Sequence, residues 1–322
     1  RDYKVTGVQT CALPISLDYV ILSHAHIDHI GLLPKLVKDG FGGKVFCTPA
    51  TASLLKILLL DSARIQEGDA RYINRQRDKQ RRQHVEPLYS EDDAHLVFPL
   101  LETIPYNEHF KVDEAVELLY TDCGHILGSA AVNLRVKENG RITSITFSGD
   151  IGRYRDMLLR SPQVFPQADC IIMESTYGNK LHERVTIAND KLLRHITETC
   201  VERKGKLVIP AFSLGRTQEL LYMLNRLSLE NSLPALSYYV DSPLSIKITN
   251  TIKKYPDYFN NNVQDLLRKD EDVFSFPGLK YIDEVEDSIA LNDTKEPCVI
   301  ISSSGMAEAG RVKHHIAHSV GD

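Results

Sequence analysis

The sequence lacks three features that would place it in other classes of protein. No run of uncharged apolar residues approaches the ~20 needed to span a bilayer, so we expect no contact with a membrane. The six cysteines form no Cys-x-x-Cys pair, which argues against a disulfide framework and for a reducing, cytoplasmic compartment. Positive charge is not in excess, with 38 Lys and Arg against 43 Asp and Glu, so phosphate binding would need a local patch or backbone dipoles.

The 322 residues leave room for about two domains. Short apolar strands alternate with helical patterns in the first half, which predicts a mixed α/β layer. After Lys180 an apolar strand, a small polar loop and a helix follow one another three times, beginning at KLVIP, ALSYYV and PCVIIS. Such alternation predicts parallel βαβ units, whose ligands bind at the carboxyl ends of the strands.

Capping residues mark two helices in the first half. Thr48 and Pro49 form an N-cap and first-turn pair for a helix through Leu60, and the polar stretch after it is also helix-like. Ser90 with Asp93 predicts a capping box for a helix up to Leu101.

A run of charge lies in the polar stretch, with six Lys or Arg and one Asp between Arg71 and Arg82. A solvated helical face is the favoured interpretation, because charge runs usually only solvate, and a nucleic-acid patch is the alternative.

The strongest chemical signal is the segment SHAHIDHIG, which follows the predicted strand LDYVIL. It places His24, His26, Asp28 and His29 within six residues. Neutral imidazole and carboxylate are ligands that suit zinc and similar divalent ions, and a loop leaving a strand can direct several of them to one point. The segment therefore predicts a metal site.

This segment resembles the His-x-His-x-Asp-His signature of the metallo-β-lactamase fold, and TDCGHILGSA and FSGDIGR supply the later His125 and Asp150. The fold that the resemblance implies is an α/β αββα sandwich. It also implies two Zn²⁺ ions, with Mn²⁺ as a substitute, which would stabilise the attacking and leaving oxygens of a phosphodiester displacement. The ligands that it implies are His24, His26 and His125 for one ion, Asp28 and His29 for part of a second, and Asp150 as a bridge.

The second half resembles the β-CASP branch of this fold, through ESTYG, AFSLGRTQE, VDSPLS and SSSGMAEAGRVKHH. Within the branch the resemblance is nearest to the RNA 3′-end-processing endonucleases of cleavage and polyadenylation complexes and their prokaryotic relatives. It implies single-stranded RNA as partner and substrate, with a homodimer left open. It also implies active-site roles for Glu174, which would support the metal ligands, and for Asp28, which would orient the attacking water.

Two loops can be interpreted as phosphate-binding loops from their residues alone. Hydroxyls and backbone N–H groups near helix starts can hold a phosphate, and an Arg can add a bidentate contact. The residues predicted to bind substrate in this way are Ser213, Gly215, Arg216, Ser303, Ser304 and Gly305.

The domains expected from these motifs are a metallo-β-lactamase part over 17–180 and a β-CASP part over 181–322. Residues 1–16 carry VTGVQTCALPIS, which resembles a translated sequencing adapter, and we expect them to be non-native or unstructured. The family has strands before its metal loop and, after the β-CASP insert, a segment with two further histidines. We therefore expect the chain to be a fragment with an incomplete second metal site and negligible nuclease activity.

Three other functions stay open at this stage. The protein could be a DNA-acting β-CASP nuclease, because the family position that separates RNA from DNA enzymes falls beyond Asp322. It could be a thioesterase or lactonase of the same fold, although the insert with its GRTQE and SSSGM loops has no use there. It could be a non-catalytic RNA-binding scaffold, although the six expected ligands up to Asp150 are present.

Overall fold

A computed structural model describes residues 16–180 and 185–320. The chain packs into two units. The first contains residues up to 121 together with 128–149 and 165–172, and the second contains 122–127, 150–164 and the residues from 173 onward. Residues 1–15, to which nearly all of the predicted non-native segment belongs, lie outside the described residues. The boundary near residue 180 stays a prediction.

Within the described residues, the first unit contains two sheets and four helices. Its strands are β1 (Tyr19–Ile21), β2 (Lys44–Cys47), β3 (Leu101–Thr103), β4 (His109–Lys111), β5 (Val116–Asp122), β6 (Ala130–Glu138), β7 (Arg141–Phe147) and β8 (Cys170–Ile172). Its helices are α1 (Ile27–Ile30), α2 (Leu33–Lys38), α3 (Pro49–Lys79) and α4 (Glu91–His95). Strands β1, β2 and β3 form a parallel sheet, and β4 to β8 form a five-stranded mixed sheet in sequence order.

Strand β2 shows why these layers stack. Val45 and Cys47 pack on the side of the helices, in a cluster with Leu55 and Leu59 of α3. Phe46 points the other way, into a cluster with residues of β5 and β6 in the larger sheet. Alternate residues of a strand face opposite sides, so a strand buried on both faces reads as a continuous apolar run. The helices, the small sheet and the large sheet therefore form successive layers.

Helix α3 begins where the sequence predicted. The Thr48 hydroxyl accepts a hydrogen bond from the Thr51 N–H at 3.2 Å, and Pro49 occupies the first turn. The Thr48 and Thr51 hydroxyls also donate to the Gly128 carbonyl, at 2.7 and 2.9 Å. The predicted helix through Leu60 and the polar stretch after it form one continuous helix that ends at Lys79.

The predicted helix up to Leu101 is wrong in its length. The capping box is present, with the Ser90 hydroxyl accepting from the Asp93 N–H, but α4 ends at His95. Pro99 has no N–H and disfavours helical backbone at the residue before it, so only a 3₁₀ turn forms over Phe98–Leu100. Leu101 then starts β3, which pairs with β2.

The second unit is built on a parallel sheet. Its strands are β9 (Lys206–Pro210), β10 (Ser237–Asp241), β11 (Leu279–Ile282) and β12 (Cys298–Ser302), in the order β11-β10-β12-β9. Its helices are α5 (Val185–Ile196), α6 (Arg216–Leu229), α7 (Pro243–Ile252), α8 (Asn261–Leu267), α9 (Val285–Asp293) and α10 (Val312–Ser319). The three predicted strand-loop-helix units are present, together with a fourth that was not predicted, β11 with α9. Its four-residue strand is interrupted by Lys280 and lies at the sheet edge, so its apolar signal is weak.

The predicted fold class is confirmed, because the chain has mixed α/β layers in the first unit and parallel βαβ units in the second. No helix among the described residues combines the length and the apolar character that crossing a membrane requires.

Candidate metal centre

Two of the predicted ligands follow strand β1 directly. His24 is fully buried, and its Nδ1 lies 3.1 Å from the Ser23 hydroxyl. Its Nε2 lies 3.2 Å from Nδ1 of His26, which is the residue before α1. Two ligands bound at about 2.0–2.1 Å to a tetrahedral ion lie about 3.4 Å apart, so this pair has the spacing of neighbouring ligands.

His29 and Asp28 lie in the short helix α1 that follows. The ring centroid of His29 lies 4.0 Å from that of His24, and its Nε2 lies 3.5 Å from Asp28 Oδ2. The Asp28 side chain is 74% exposed. Both residues therefore lie beside the first histidines, and Asp28 is open to solvent.

His125 and Asp150 are brought together by two loops. Nε2 of His125 lies 3.5 Å from Oδ2 of Asp150, again close to the spacing of two ligands of one ion. The Cys123 thiol donates to the Asp150 carbonyl at 3.2 Å, and the Gly152 N–H donates to the Cys123 carbonyl at 2.8 Å. A Cβ at Gly152 would lie 1.7 Å from the Gly124 carbonyl oxygen, so only glycine allows the loops this close.

A buried carboxyl supports the His125 loop. Oδ1 of Asp122 accepts a hydrogen bond from the Gly124 N–H at 2.8 Å. Burial raises the pKa of Asp122 to about 6, against the opposing effects of that hydrogen bond and of Arg160. Asp122 was not among the predicted site residues, although the TDCGH segment contains it.

The structure gathers four of the six predicted ligands into one group. One ligand atom from each of His24, His26, His125 and Asp150 lies within 4.8 Å of the others. Three imidazoles and a carboxylate are a donor set that fits zinc or another divalent transition metal. Asp28 and His29 lie outside the group, and within the described ranges no other set of three or more such side chains meets the same spacing.

Glu174 lies next to the Asp150 loop. Its Oε1 accepts a hydrogen bond from the Ile151 N–H at 2.6 Å. This contact fixes the backbone immediately after Asp150. Glu174 therefore contacts the Asp150 loop through the backbone, and its predicted support of a ligand residue stays a prediction.

Hydroxyl groups converge at the carboxyl ends of three neighbouring strands in the second unit. The Ser303 oxygen, after β12, lies 2.9 Å from the Ser213 oxygen, 2.6 Å from that of Ser242 and 3.3 Å from that of Ser245. We call these four residues the serine cluster. Ser213 and Ser303 were predicted to bind substrate, whereas Ser242 and Ser245 were missed, although VDSPLS is one of the three loops that the βαβ pattern places at this end of the sheet.

The other predicted substrate residues have different surroundings. Gly215 has a φ of +88° directly before α6, and its N–H donates to Gln218 Oε1 at 2.8 Å. Ser304 and Gly305 belong to a loop that continues to Arg311, because α10 begins only at Val312. The expectation that they lie at a helix N-terminus is therefore wrong. Gly305 packs against Phe212, where a Cβ would lie 2.9 Å from Phe212 Cδ2.

Arg216 is engaged in an ion pair. Its Nη1 lies 2.6 Å from Glu219 Oε2, and Arg153 binds Glu219 Oε1 at 2.7 Å. Burial raises the pKa of Glu219, and the two arginines oppose that shift. The Arg216 side chain remains 55% exposed, so it can reach a ligand only while sharing its charge with Glu219.

A buried ion network lies behind the serine cluster. Asp241 is fully buried at the end of β10, where Arg311 donates to its Oδ1 at 2.7 Å. His315 Nε2 and the Ser288 hydroxyl each lie 2.5 Å from its Oδ2. Burial alone would raise the pKa of Asp241, but the hydrogen bonds from His315, Ser288 and Arg311 together lower it below its ordinary value. Nothing in the local sequence pattern indicated this network.

Each half of the chain matches a known protein family. The metallo-beta-lactamase superfamily matches residues 12–109, and the Beta-Casp domain matches residues 217–322.

Named relatives extend the likeness over most of the chain. Ribonuclease TTHA0252 of Thermus thermophilus is 31% identical over 309 residues, which are 96% of this chain and 66% of the relative. Transcription termination factor FttA of Methanosarcina mazei is 31% identical, over 93% of this chain and 45% of the relative. Endoribonuclease YSH1 of Yarrowia lipolytica is 30% identical, over 92% of this chain and 33% of the relative. The chain therefore spans between a third and two thirds of the length of these relatives.

Proposed function

We infer that the protein hydrolyses phosphodiester bonds of RNA with bound divalent metal. The chain belongs to the metallo-β-lactamase superfamily and carries a Beta-Casp domain. The observation that carries the proposal is the group of His24, His26, His125 and Asp150. Two of the relatives are named as ribonucleases, and a third as a termination factor. We propose endonuclease cleavage, with exonuclease trimming as a further activity of the same centre.

The proposed roles of the residues follow their positions. His24, His26 and His125 would hold one Zn²⁺ ion, Asp28 and His29 would contribute to a second, and Asp150 would bridge both, with Mn²⁺ as a substitute metal. Metal ions in such a centre supply Lewis-acid stabilisation of the charge on the phosphoryl oxygens. Asp28 is exposed enough to meet a substrate or a water, and we propose that it orients the attacking water. Glu174 would keep Asp150 in place through the Ile151 N–H.

We propose that the serine cluster and its neighbours bind the RNA backbone. The cluster lies at the carboxyl ends of β9, β10 and β12. Open parallel sheets bind their ligands at this end of the strands. Hydroxyls can turn their protons from one another towards a phosphate oxygen. The proposed substrate-binding residues are Ser213, Gly215, Arg216, Ser303, Ser304 and Gly305, with Ser242 and Ser245 added by the structure.

We also propose that the protein is cytoplasmic and forms a homodimer. The described cysteines are all free thiols, as expected in a reducing compartment. Light scattering on the purified protein tests the oligomeric state.

The function is tested on the complete protein encoded by the source gene. We expect it to shorten a single-stranded RNA of mixed sequence when zinc or manganese is supplied, because the ligand group then holds metal, and to stop when a chelator is added. Gel analysis of an internally labelled RNA measures this.

The same assay separates the rival functions. Single-stranded DNA of the same sequence and a small thioester are offered in parallel. Cleavage of DNA at the rate of RNA would favour a DNA nuclease, and hydrolysis of the thioester alone would favour the small-substrate enzymes. Binding of RNA without any cleavage would favour a scaffold and contradict the proposal.

Replacing Arg216 by glutamine should weaken RNA binding without loss of metal. The side chain is half exposed beside the serine cluster loop of Ser213, and neutralising one phosphate fewer should make the dependence of log K on log salt shallower by about 0.7 for a single strand. Filter binding across a salt series measures the slope, and metal analysis provides the control. An unchanged slope would show that Arg216 does not contact a phosphate and serves only as the ion-pair partner of Glu219.

A further inference from the structure

The C-terminal end of α3 carries a group of cations that the candidate metal centre does not use. We call residues 71–84 the basic tip. It contains one carboxylate, Asp78, and the cations Arg71, Arg75, Arg77, Lys79, Arg81 and Arg82. The last buried residue of α3 is Ala70, so the helix extends beyond the core at the point where these cations begin. The chain as a whole has a net charge of −5, so the basic tip opposes the charge of the molecule that bears it.

The basic tip is an ordered structure. The Asn74 side chain donates to the Val85 carbonyl at 2.9 Å and accepts from the Val85 N–H at 2.8 Å, which pins the returning chain to the helix. Arg77 donates to the Gln83 carbonyl at 2.7 Å. Because the turn is fixed in this way, its charged side chains project from a defined surface, and less conformational entropy is lost when they bind.

The turn has an unusual residue at its centre. The Arg81 N–H bonds to the Asp78 carbonyl and the Arg82 N–H to the Arg77 carbonyl, which is the pattern of a Schellman helix end. Arg81 therefore has the left-handed backbone, with a φ of 53°, at the position that glycine usually occupies. The left-handed backbone is strained for arginine but not for glycine, so Arg81 makes this helix end less stable than a glycine would.

Most cations of the basic tip have no ionic partner among the residues that the structure describes. Arg71 lies 3.6 Å from Glu67, and Asp78 pairs with His84 at 2.6 Å. The other cations, Arg75, Arg77, Lys79, Arg81 and Arg82, form no ion pair with any residue that the structure describes. Arg71, Arg75 and Lys79 are successive i,i+4 neighbours, and like charges at that spacing destabilise a helix.

The helix dipole explains only part of this charge. Cations in the last turn of a helix stabilise it, but the effect falls off within that turn. Arg71 and Arg75 lie before the last turn, and Arg82 follows the helix end. The arrangement therefore costs the isolated fold free energy, and an anionic partner would recover it.

An exposed aromatic ring accompanies the cations. Tyr72 is 64% exposed. Arg75 and Lys79 lie three and seven residues after it, so all three share one side of α3. Cations that follow a phosphate backbone, together with an aromatic ring on which a base can stack, are the two parts of a binding surface for single-stranded nucleic acid.

We propose that the basic tip is a second RNA-binding surface, on which Arg75 and Lys79 contact phosphates and Tyr72 stacks on an unpaired base. This rests on the proposed function, because RNA is the anion that function supplies. A single strand fits better than a duplex, since the bases of a duplex offer no free face to the ring. An acidic protein surface would use the cations but would gain nothing specific from an exposed tyrosine.

The cations are tested with a double variant, Arg75→Gln with Lys79→Gln, in the complete protein. Binding to a single-stranded RNA is measured with chelator present, so that no cleavage occurs. We expect affinity to fall about tenfold at moderate salt and the slope of log K against log salt to become shallower by about 1.4, or about 0.7 for each phosphate that is no longer neutralised. The control is Lys137→Gln with Arg141→Gln, two exposed cations of the β6–β7 hairpin that form no ion pair among the described residues. An effect no larger than the control's would overturn the proposal.

Tyr72 is tested by a separate variant with a different signature. Tyr72→Ala should lower affinity about tenfold, because stacking on one base is removed, and should leave the salt slope unchanged, because the same number of phosphates is neutralised. Full affinity in this variant would show that the surface is only electrostatic and would contradict the stacking.

Arg81→Gly separates binding from folding. It removes a cation and places glycine at the left-handed position, so the melting temperature should not fall while the salt slope should become shallower by up to about 0.7. Failure of this inference differs from failure of the proposed function. If the wild-type protein cleaves RNA and the variants of the basic tip bind RNA like the control, only the basic tip is excluded. If the wild type binds RNA but cleaves nothing, and the variants of the basic tip bind RNA more weakly than the control, the ribonuclease proposal fails and the basic tip stands.

Discussion

Replacing Asp150 by alanine in the complete protein should remove bound metal and lower RNA cleavage at least about a thousandfold. Asp150 supplies the only carboxylate of the four-residue group, and without it three neutral imidazoles face the charge of the ion alone. Stabilisation by metal ions is worth several kcal/mol in such centres, and each 1.36 kcal/mol corresponds to a factor of ten in rate. Metal analysis of the purified protein and single-turnover cleavage of labelled RNA measure the two effects.

Two further variants sharpen this test. Asp92→Ala removes an exposed carboxylate of α4 and should leave metal content and rate unchanged. Asp28→Ala should lower only the second metal equivalent, because Asp28 lies outside the four-residue group. If Asp150→Ala lost one equivalent and kept the other, Asp150 would be a ligand of one ion and not a bridge. If it kept both, the group would not be the metal centre.

The four residues of this group could be predicted from the sequence because chemistry and position coincide there. His24 and His26 follow one short strand, so the spacing that identifies them is also the spacing that places their nitrogens 3.2 Å apart. His125 and Asp150 were found through order and context, and their approach depends on the close contact of Gly124 with Gly152. The sequence could not show that Asp28 and His29 stay outside the group, because that depends on how α1 turns after His26.

The remaining errors have physical reasons of two kinds. The capping box at Ser90 predicted a helix that is longer than α4, because Pro99 limits the helix and Leu101 pairs with strand β2 instead. Other features have no local signal at all. Ser242 and Ser245 meet Ser303 only because β10 and β12 are adjacent in the sheet. His315 reaches Asp241 across 74 residues of sequence, for the same reason.

Replacing Asp241 by asparagine should cost about 3 kcal/mol of stability, because the fully buried carboxylate is lost and Arg311, whose side chain is only 20% exposed, loses its charged partner. For a unit of this size that loss corresponds to a melting temperature lower by about 10 °C. Asp265→Asn in α8 is the control, since its pair with Arg268 is exposed and should contribute at most about 1 kcal/mol. Thermal unfolding followed by circular dichroism compares the two.

The pH dependence of this loss has a definite sign. The pKa of Asp241 is lower in the folded protein than its ordinary value of 3.8, so the folded state favours the ionised carboxylate. Its contribution is present above the unfolded pKa and is lost as the pH falls through the lower folded pKa. The difference in stability between wild type and Asp241→Asn should therefore be constant near neutrality and shrink only below about pH 4.

The Asp241 network should also affect the proposed RNA-binding site, because the backbone of the network carries the serine cluster. The Asp241 carbonyl accepts a hydrogen bond from the Ser302 hydroxyl at 2.8 Å. The residues that follow these two, Ser242 and Ser303, both belong to the serine cluster. Asp241→Asn should therefore weaken RNA binding at temperatures well below its melting point, whereas Asp265→Asn should not. A variant that melts early yet binds RNA with full affinity would show that the network stabilises the second unit without positioning the cluster.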